Sequence, residues 1–227
     1  MEQQHLRIGT AYGLASTASS LWTIPAFNRA GMLEITALFP RIVAFFSKLD
    51  VSQAKGFGNF IPVILSLAQN LPAHQPSDST DSVLFYAQSR VLRLAHACLQ
   101  HDKIGVSEHA ETLIGLGSGL TPSGDDFVGG LLFALAILQS FYGHAEQYDY
   151  NVQIESYSSK TNLISYTLLS DLAHGHAIAP LHQIVNRLLS GATHESIYPF
   201  VGQLTGVGNS TGWDLLAGLL TGFLSTH

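Results

Sequence analysis

Two stretches of this chain follow one plan, and that internal repeat limits the fold more than any other feature. Ser123 to Leu132, reading SGDDFVGGLL, aligns with Thr211 to Leu220, reading TGWDLLAGLL. The copies share Gly124/Gly212, Asp126/Asp214, Gly130/Gly218, Leu131/Leu219 and Leu132/Leu220. Upstream, Gly115-Leu116-Gly117-Ser118 matches Gly206-Val207-Gly208-Asn209 once the first copy's extra residues Gly119 to Pro122 are set aside. Each copy reads as a glycine-rich turn, a hydroxyl residue at a helix N-cap, an Asp in the first helical turn and then an apolar helix.

The physical logic of such a device is direct. The first N–H groups of a helix have no partner inside it, so Ser123 and Thr211 are expected to accept from them. Asp126 and Asp214 then sit at the positive end of the helix dipole. Capping alone explains one copy. It does not call for the glycine run Gly115 to Gly119, nor for the consecutive carboxylates Asp125 and Asp126. Gly129, Gly130, Ala217 and Gly218 are small enough to let the two apolar helices approach closely, so both helix starts are expected to face one cleft. The catalytic candidates are therefore Asp126 and Asp214, with Asp125 next. Asp125 is matched by Trp213 in the second copy, which makes it the more tolerant position. The binding candidates are Gly117, Ser118, Gly119, Thr121, Ser123 and Gly124 in the first copy and Asn209, Ser210, Thr211 and Gly212 in the second.

Outside the repeat the signals divide the chain. Residues 1–75 carry short apolar runs, Leu33 to Leu38 and Phe60 to Leu65, broken by Gly31, Pro40, Gly56, Gly58 and Pro62, which reads as short strands and turns. The polar cluster Gln75 to Ser82 reads as a loop capping a helix that carries Leu84, Ala87, Val91, Leu94, Ala95 and Cys98 and ends near His101. Phe127 to Tyr142 reads as a buried helix and Glu146 to Ser159 as a polar connection. Helices follow over Leu163 to His174, Leu181 to Leu189, His194 to Leu204 and Gly212 to Leu224. The expected fold class is α+β, with strands and turns in the N-terminal part and a mainly helical part over residues 76–227, the two forming one compact unit.

Composition narrows the function classes. Charged residues make up 11% of the chain, against about a quarter in an average soluble domain, so much of the surface is uncharged or covered by a partner. The net charge of -6 with ten Lys plus Arg offers no basic stripe for nucleic acid. No stretch of about 20 uninterrupted apolar residues spans a membrane, and the N-terminus makes a poor signal peptide, so the chain reads as cytoplasmic. The single cysteine, Cys98, lies on an apolar helical stripe and reads as core. His174-Gly175-His176 with His182 lacks the ligand set of a zinc site and reads as solvated or core histidine. Neither a nucleophile elbow nor a Walker lysine is present. No Lys or Arg occurs between Lys103 and Lys160. An anion at the first motif would thus rest on amides, hydroxyls and a helix dipole, or on basic residues from the N-terminal part or another chain.

Leu113 to Gly130, reading LIGLGSGLTPSGDDFVGG, resembles the signature of a bacterial family long catalogued as a domain of unknown function, whose members are similar to the AllH-type subunit of oxamate carbamoyltransferase. Gly206 to Gly218, GVGNSTGWDLLAG, resembles its second signature, and Thr161 to Gly175 its middle segment. This chain has Asn209 and Thr211 where the family's second motif carries His and Ser. The resemblance implies one subunit of a three-subunit enzyme that interconverts oxalurate plus phosphate with oxamate plus carbamoyl phosphate in anaerobic allantoin breakdown.

Three readings of function follow. The first is an enzyme subunit that binds a small anionic or carbamoyl group at the paired helix starts, in a complex with partner subunits. The second is a noncatalytic scaffold whose apolar helices form a platform for such partners. The third is a stand-alone enzyme with Mg²⁺ held by Asp125, Asp126 and Asp214, since that ion needs only one or two carboxylates plus substrate oxygens. No cofactor is demanded by the motifs, and Mg²⁺ is the one these carboxylates would suit.

Overall fold

The computed structural model describes residues 5–8, 12–15, 31–72, 82–143 and 154–227. It is an all-α fold, which overturns the expected α+β class: from residue 31 onward every regular element among the described residues is helical. Strand pairing among them is confined to a short antiparallel hairpin of β1 (His5–Ile8) and β2 (Tyr12–Ala15). The two apolar runs read as strands are instead entries into helices α1 (Leu38–Ser47) and α2 (Ile61–Ala68). Their prolines were misread as breakers. Pro40 and Pro62 sit in the first helical turn, where the missing N–H is no loss and the fixed φ suits the helix. Leu38, Ile42, Phe45 and Phe46 then fall on one buried face of α1 at helical spacing.

Helix α3 (Ser82–Leu99) buries Ala87, Val91, Leu94, Ala95 and Cys98, the stripe read from the sequence, and burial pushes the Cys98 thiol pKa far up. The loop expected over Gln75 to Ser82 lies outside the described residues up to position 81. A short helix that the sequence did not announce follows: α4 (Lys103–Glu111), capped by Asp102, whose carboxylate accepts from the Gly105 N–H at 2.9 Å. Its weak apolar stripe explains why periodicity missed it. Next come α5 (Ser123–Tyr142), α6 (Leu163–Ala173), α7 (Ala179–Leu189), α8 (Tyr198–Thr205) and α9 (Thr211–Phe223). Of the polar connection from Glu146 to Ser159, residues up to 153 lie outside the described part; Ile154–Ser159 form a 3-10 turn with Ile154 and Tyr157 buried.

Helices α5 and α9 form the centre, and α6, α8 and the 3-10 segment Gly56–Phe60 pack around them. Helix α5 is long and apolar enough to cross a membrane, but it is buried inside the molecule, as a core helix is. The repeat is visible in how the two helices touch. A Cβ on Gly130 would overlap the Leu215 carbonyl oxygen, and a Cβ on Gly218 would overlap that of Phe127. Gly130 and Gly218 are repeat equivalents, as are Phe127 and Leu215, so the contact has approximate two-fold symmetry. The turns obey the same relation. The Gly124 N–H donates to the Leu116 carbonyl at 2.8 Å, and the equivalent Gly212 N–H donates to the Val207 carbonyl at 3.2 Å. Gly117 and Gly208, again equivalent, both hold positive φ, at 126° and 61°. The repeating unit is thus a helical hairpin, α4–turn–α5 and α8–turn–α9.

This packing makes an unequal pair of neighbours. Gly130→Ala is expected to cost about 3 kcal/mol or more, because its new methyl meets a rigid backbone carbonyl. Gly129→Ala meets the end of the Leu172 side chain at 2.5 Å, which can turn away. Its net effect should stay within about 1 kcal/mol, since Ala also favours the helix. Urea denaturation of the two variants measures the difference.

Candidate functional site

The N-terminal ends of α5 and α9 meet, and their hydroxyl residues bond across the junction rather than capping their own helices. Ser123 Oγ and Ser210 Oγ lie 3.2 Å apart, and Thr121 Oγ1 and Thr211 Oγ1 3.3 Å apart. The N-cap positions are in fact Pro122 and Ser210, neither of which makes a side-chain cap bond. The expected capping by Ser123 and Thr211 therefore does not occur. Backbone carbonyls of the preceding turns, Leu116 and Val207, take the Gly124 and Gly212 N–H groups instead. Those amides are consequently spent inside the fold. Gly124 and Gly212 are also buried against the Leu113 and Leu204 carbonyls, so they shape the turns and do not face a ligand.

Freed from capping, the four hydroxyls stand beside the two motif carboxylates. Thr211 and Thr121 lie by Asp126, while Ser210 and Ser123 lie by Asp214. Each Asp therefore takes a neighbour from both copies. Asp126 is 6% exposed and Asp214 fully buried, and one oxygen of each, Oδ2, is buried with no hydrogen-bond partner. Burial pushes the Asp126 carboxyl up to about 7, against the opposing pull of Thr211 and Thr121, with further upward push from the charges of Asp214 and Asp125. Burial likewise raises Asp214 to about 6, opposed by the Phe57 N–H and by Ser210 and Ser123. Among the described residues no cation offsets either carboxylate. Burial thus brings both carboxyls up toward neutral pH, with Asp126 the higher of the two.

Asp125 has a different fate. It is 1% exposed, and both of its oxygens are engaged: Oδ1 accepts from the Gly115 N–H at 2.6 Å, and Oδ2 accepts from Ser165 Oγ at 2.6 Å and from Thr161 Oγ1. It ties the first glycine turn to the start of α6, where Asn162 caps the helix and also donates to the Leu120 carbonyl at 2.8 Å. Both carboxylate oxygens of Asp125 are thus engaged by the fold, at the position matched by Trp213 in the second copy. Three carboxylates around one ion are not what the fold assembles. Among the described residues no group of three His, Cys, Asp or Glu side chains lies close enough to hold a metal.

Of the remaining candidates, Ser118 and Gly119 form the open tip of the first turn, with empty space beside Gly119. Asn209 is exposed at the tip of the second, where its Oδ1 accepts from Lys55 Nζ at 3.4 Å. Lys55 opens a segment that sequence reasoning missed. The 3-10 turn Gly56–Phe60 lies directly on α9: the Phe57 N–H donates to Asp214 Oδ1 at 2.5 Å, and Gly56 and Gly58 leave no room for a side chain beside Asp214 and Trp213. Trp213 is thereby buried by Gly58, not presented to a ligand. The signal was the spacing Gly56-x-Gly58, noted only as a break. Close approach of two backbones is the other reason for glycine.

The histidines take structural places. His182 is buried edge-on against Phe133, accepts from the Ala177 N–H at 3.2 Å, and has its pKa lowered to about 4 by burial and by His176. His174 is exposed and bonds the Ser170 carbonyl of its own helix.

No solved structure matches the chain. Residues 113–223, which hold both motifs and both central helices, match the model of the family described as oxamate carbamoyltransferase subunit AllH, and so bear out the resemblance drawn from the two glycine-rich segments.

Proposed function

We propose that this chain is one subunit of a carbamoyltransferase-type enzyme and that its paired helix starts bind the carbamoyl group of a small substrate. The observation that carries this reading is the buried pair Asp126 and Asp214, each with an oxygen lacking a partner and each with its carboxyl pushed up toward neutral pH by burial. Two buried carboxylates repel a phosphate. They suit a primary amide or ureido head: an ionised carboxylate accepts from its N–H groups while a protonated one donates to its carbonyl oxygen.

The reaction implied by the family has a role for that proton. When phosphate attacks the ureido carbon of oxalurate, a C–O bond forms, the C–N bond to the oxamate nitrogen breaks, and that nitrogen must gain a proton as it leaves. Asp126, which retains its proton up to about 7, is the donor we assign. A related carbamoyl donor would use the same pair. The phosphate itself needs positive charge that this pair does not supply, which supports a site completed by other subunits. Leu120, Leu163, Ile164 and Leu168, exposed beside the first turn, fit the same reading of a chain that works in a complex.

The test is reconstitution. The purified chain alone is expected to form no carbamoyl phosphate from oxalurate and phosphate, and the mixture with its partner subunits is expected to form it. Full turnover by the chain alone removes the multi-subunit reading. A reconstituted complex whose rate ignores both Asp126→Asn and Asp214→Asn returns the chain to the scaffold class.

A further inference from the structure

We propose that Lys55 anchors the anionic end of a small carbamoyl-bearing anion whose amide end lies toward Asp126 and Asp214. This deepens the function proposed above and rests on its placement of the carbamoyl group.

Lys55 comes from the N-terminal part, outside the segment 113–223 that matches the family. Its position is nonetheless set by the site. The turn that begins at Gly56 is clamped to α9 by the bond from the Phe57 N–H to Asp214 Oδ1, which brings the preceding lysine to the tip of the second glycine turn. There its ammonium makes a 3.4 Å bond to the neutral amide oxygen of Asn209 and, among the described residues, no ion pair. Its charge is also unspent on the carboxylates, since neither Asp126 nor Asp214 is influenced by a cation.

Among the described residues, Lys160 and Arg41 are committed elsewhere. Lys160 pairs with Glu111 at 2.9 Å, and the Arg41 guanidinium donates to the carbonyls of Leu188, Arg187 and Ala192. Of the helix-start amides, the usual alternative for holding an anion, those of Gly124 and Gly212 are occupied by the turn carbonyls of Leu116 and Val207. Among the described residues, Lys55 is the cation that stands at the tip of the second glycine turn. The result is a site with two ends of opposite character: buried carboxylates within, and an exposed ammonium with the Asn209 amide at the rim.

A ligand that satisfies both ends carries a primary amide or ureido group a few bonds from an anion. Oxamate, oxalurate and carbamoyl phosphate all have that layout. Acetamide has only the amide and oxalate only the anion, so these small molecules separate the two ends.

The experiment titrates the full-length chain, as wild type, Lys55→Gln and Lys55→Arg, with oxamate, acetamide and oxalate by calorimetry or chemical-shift perturbation. Oxamate is expected to bind wild type, to bind Lys55→Gln about tenfold more weakly, and to regain most of its affinity in Lys55→Arg; acetamide should not distinguish the three. In the reconstituted complex Lys55→Gln should raise KM about tenfold with kcat nearly unchanged. Equal oxamate affinity of wild type and Lys55→Gln, no oxamate binding by wild type, or an equal loss for acetamide overturns the assignment. Because the titration needs no turnover, a complex that proves inactive toward oxalurate sinks the proposed reaction and leaves the Lys55 result to stand or fall separately.

Discussion

Asp126→Asn is expected to lower turnover of the reconstituted complex by about a hundredfold or more while making the chain more stable at pH 8. The two effects have one cause. Burial raises the folded-state pKa of Asp126 to about 7 from an ordinary 3.8. Between those values the folded chain binds more protons than the unfolded chain, so stability falls as pH rises through that window. The ionisation penalty is absent below about 4 and complete above about 7. Asn keeps the shape and never ionises, so at pH 8 it should gain about 1 to 3 kcal/mol, or roughly 3 to 10 °C in Tm, after allowing for the imperfect fit of its amide. The gain should vanish near pH 4. Asp214→Asn should act in the same direction on both readouts, with the smaller stability gain that its value of about 6 implies. If the carboxylates merely complemented helix dipoles, Asn would cost about 0.3 to 1 kcal/mol and leave turnover intact. Melting curves at pH 4.5 and pH 8 together with kcat separate the two cases.

Asp125→Ala should do the reverse, chiefly destabilising the chain. It strands the Gly115 N–H and the hydroxyls of Thr161 and Ser165, of which Ser165 is buried, Thr161 half-buried and Gly115 open to solvent. A buried donor left without an acceptor costs about 1 to 3 kcal/mol, and the space left by the buried carboxylate adds to it while Gly115 and Thr161 can turn to water, so a loss of about 2 to 3 kcal/mol is expected. For a chain of this size that is a fall in Tm of roughly 4 to 12 °C. Asp125→Asn should cost less than half as much, because its oxygen still serves Gly115 and its amide can donate to the Ser165 hydroxyl, which also accepts. Thermal unfolding and urea titration check both. A melting temperature for Asp125→Ala within 2 °C of wild type, taken with the about 2 to 4 °C per kcal/mol that applies at this size, would remove Asp125 as the strut of the first turn.

How much of this was legible in the sequence differs from one element to the next. The repeat was fully visible, and it foretold the packing of α5 on α9 because a Gly or Ala every few residues on an apolar helix has few uses other than close approach. The helical stripes of α3 and α7 were visible because each has one buried and one exposed face. The strands expected near Leu33 and Phe60 failed because a short apolar run has no period of its own, and proline reads equally as a breaker or as a helix starter.

Within the site, the sequence by itself determined which residue types stand at the two helix starts, and hence the carboxylates, hydroxyls and glycines available. Only the tertiary structure decided what each one does. Asp125 and Asp126 are adjacent in sequence, yet helical geometry turns one toward the first glycine turn and the start of α6, which together supply three donors, and the other toward the opposite copy, where burial raises its pKa. Ser123 and Thr211 had a local partner in view, the start of their own helix. They bond across the junction instead, because the turn carbonyls of Leu116 and Val207 reach the helix N–H groups and the second copy brings hydroxyls close. Lys55 and Asn209 lie 154 residues apart in the chain, and no local pattern relates them. What joins them is the fit of a glycine turn over Asp214, a long-range contact that exists only once the chain has folded.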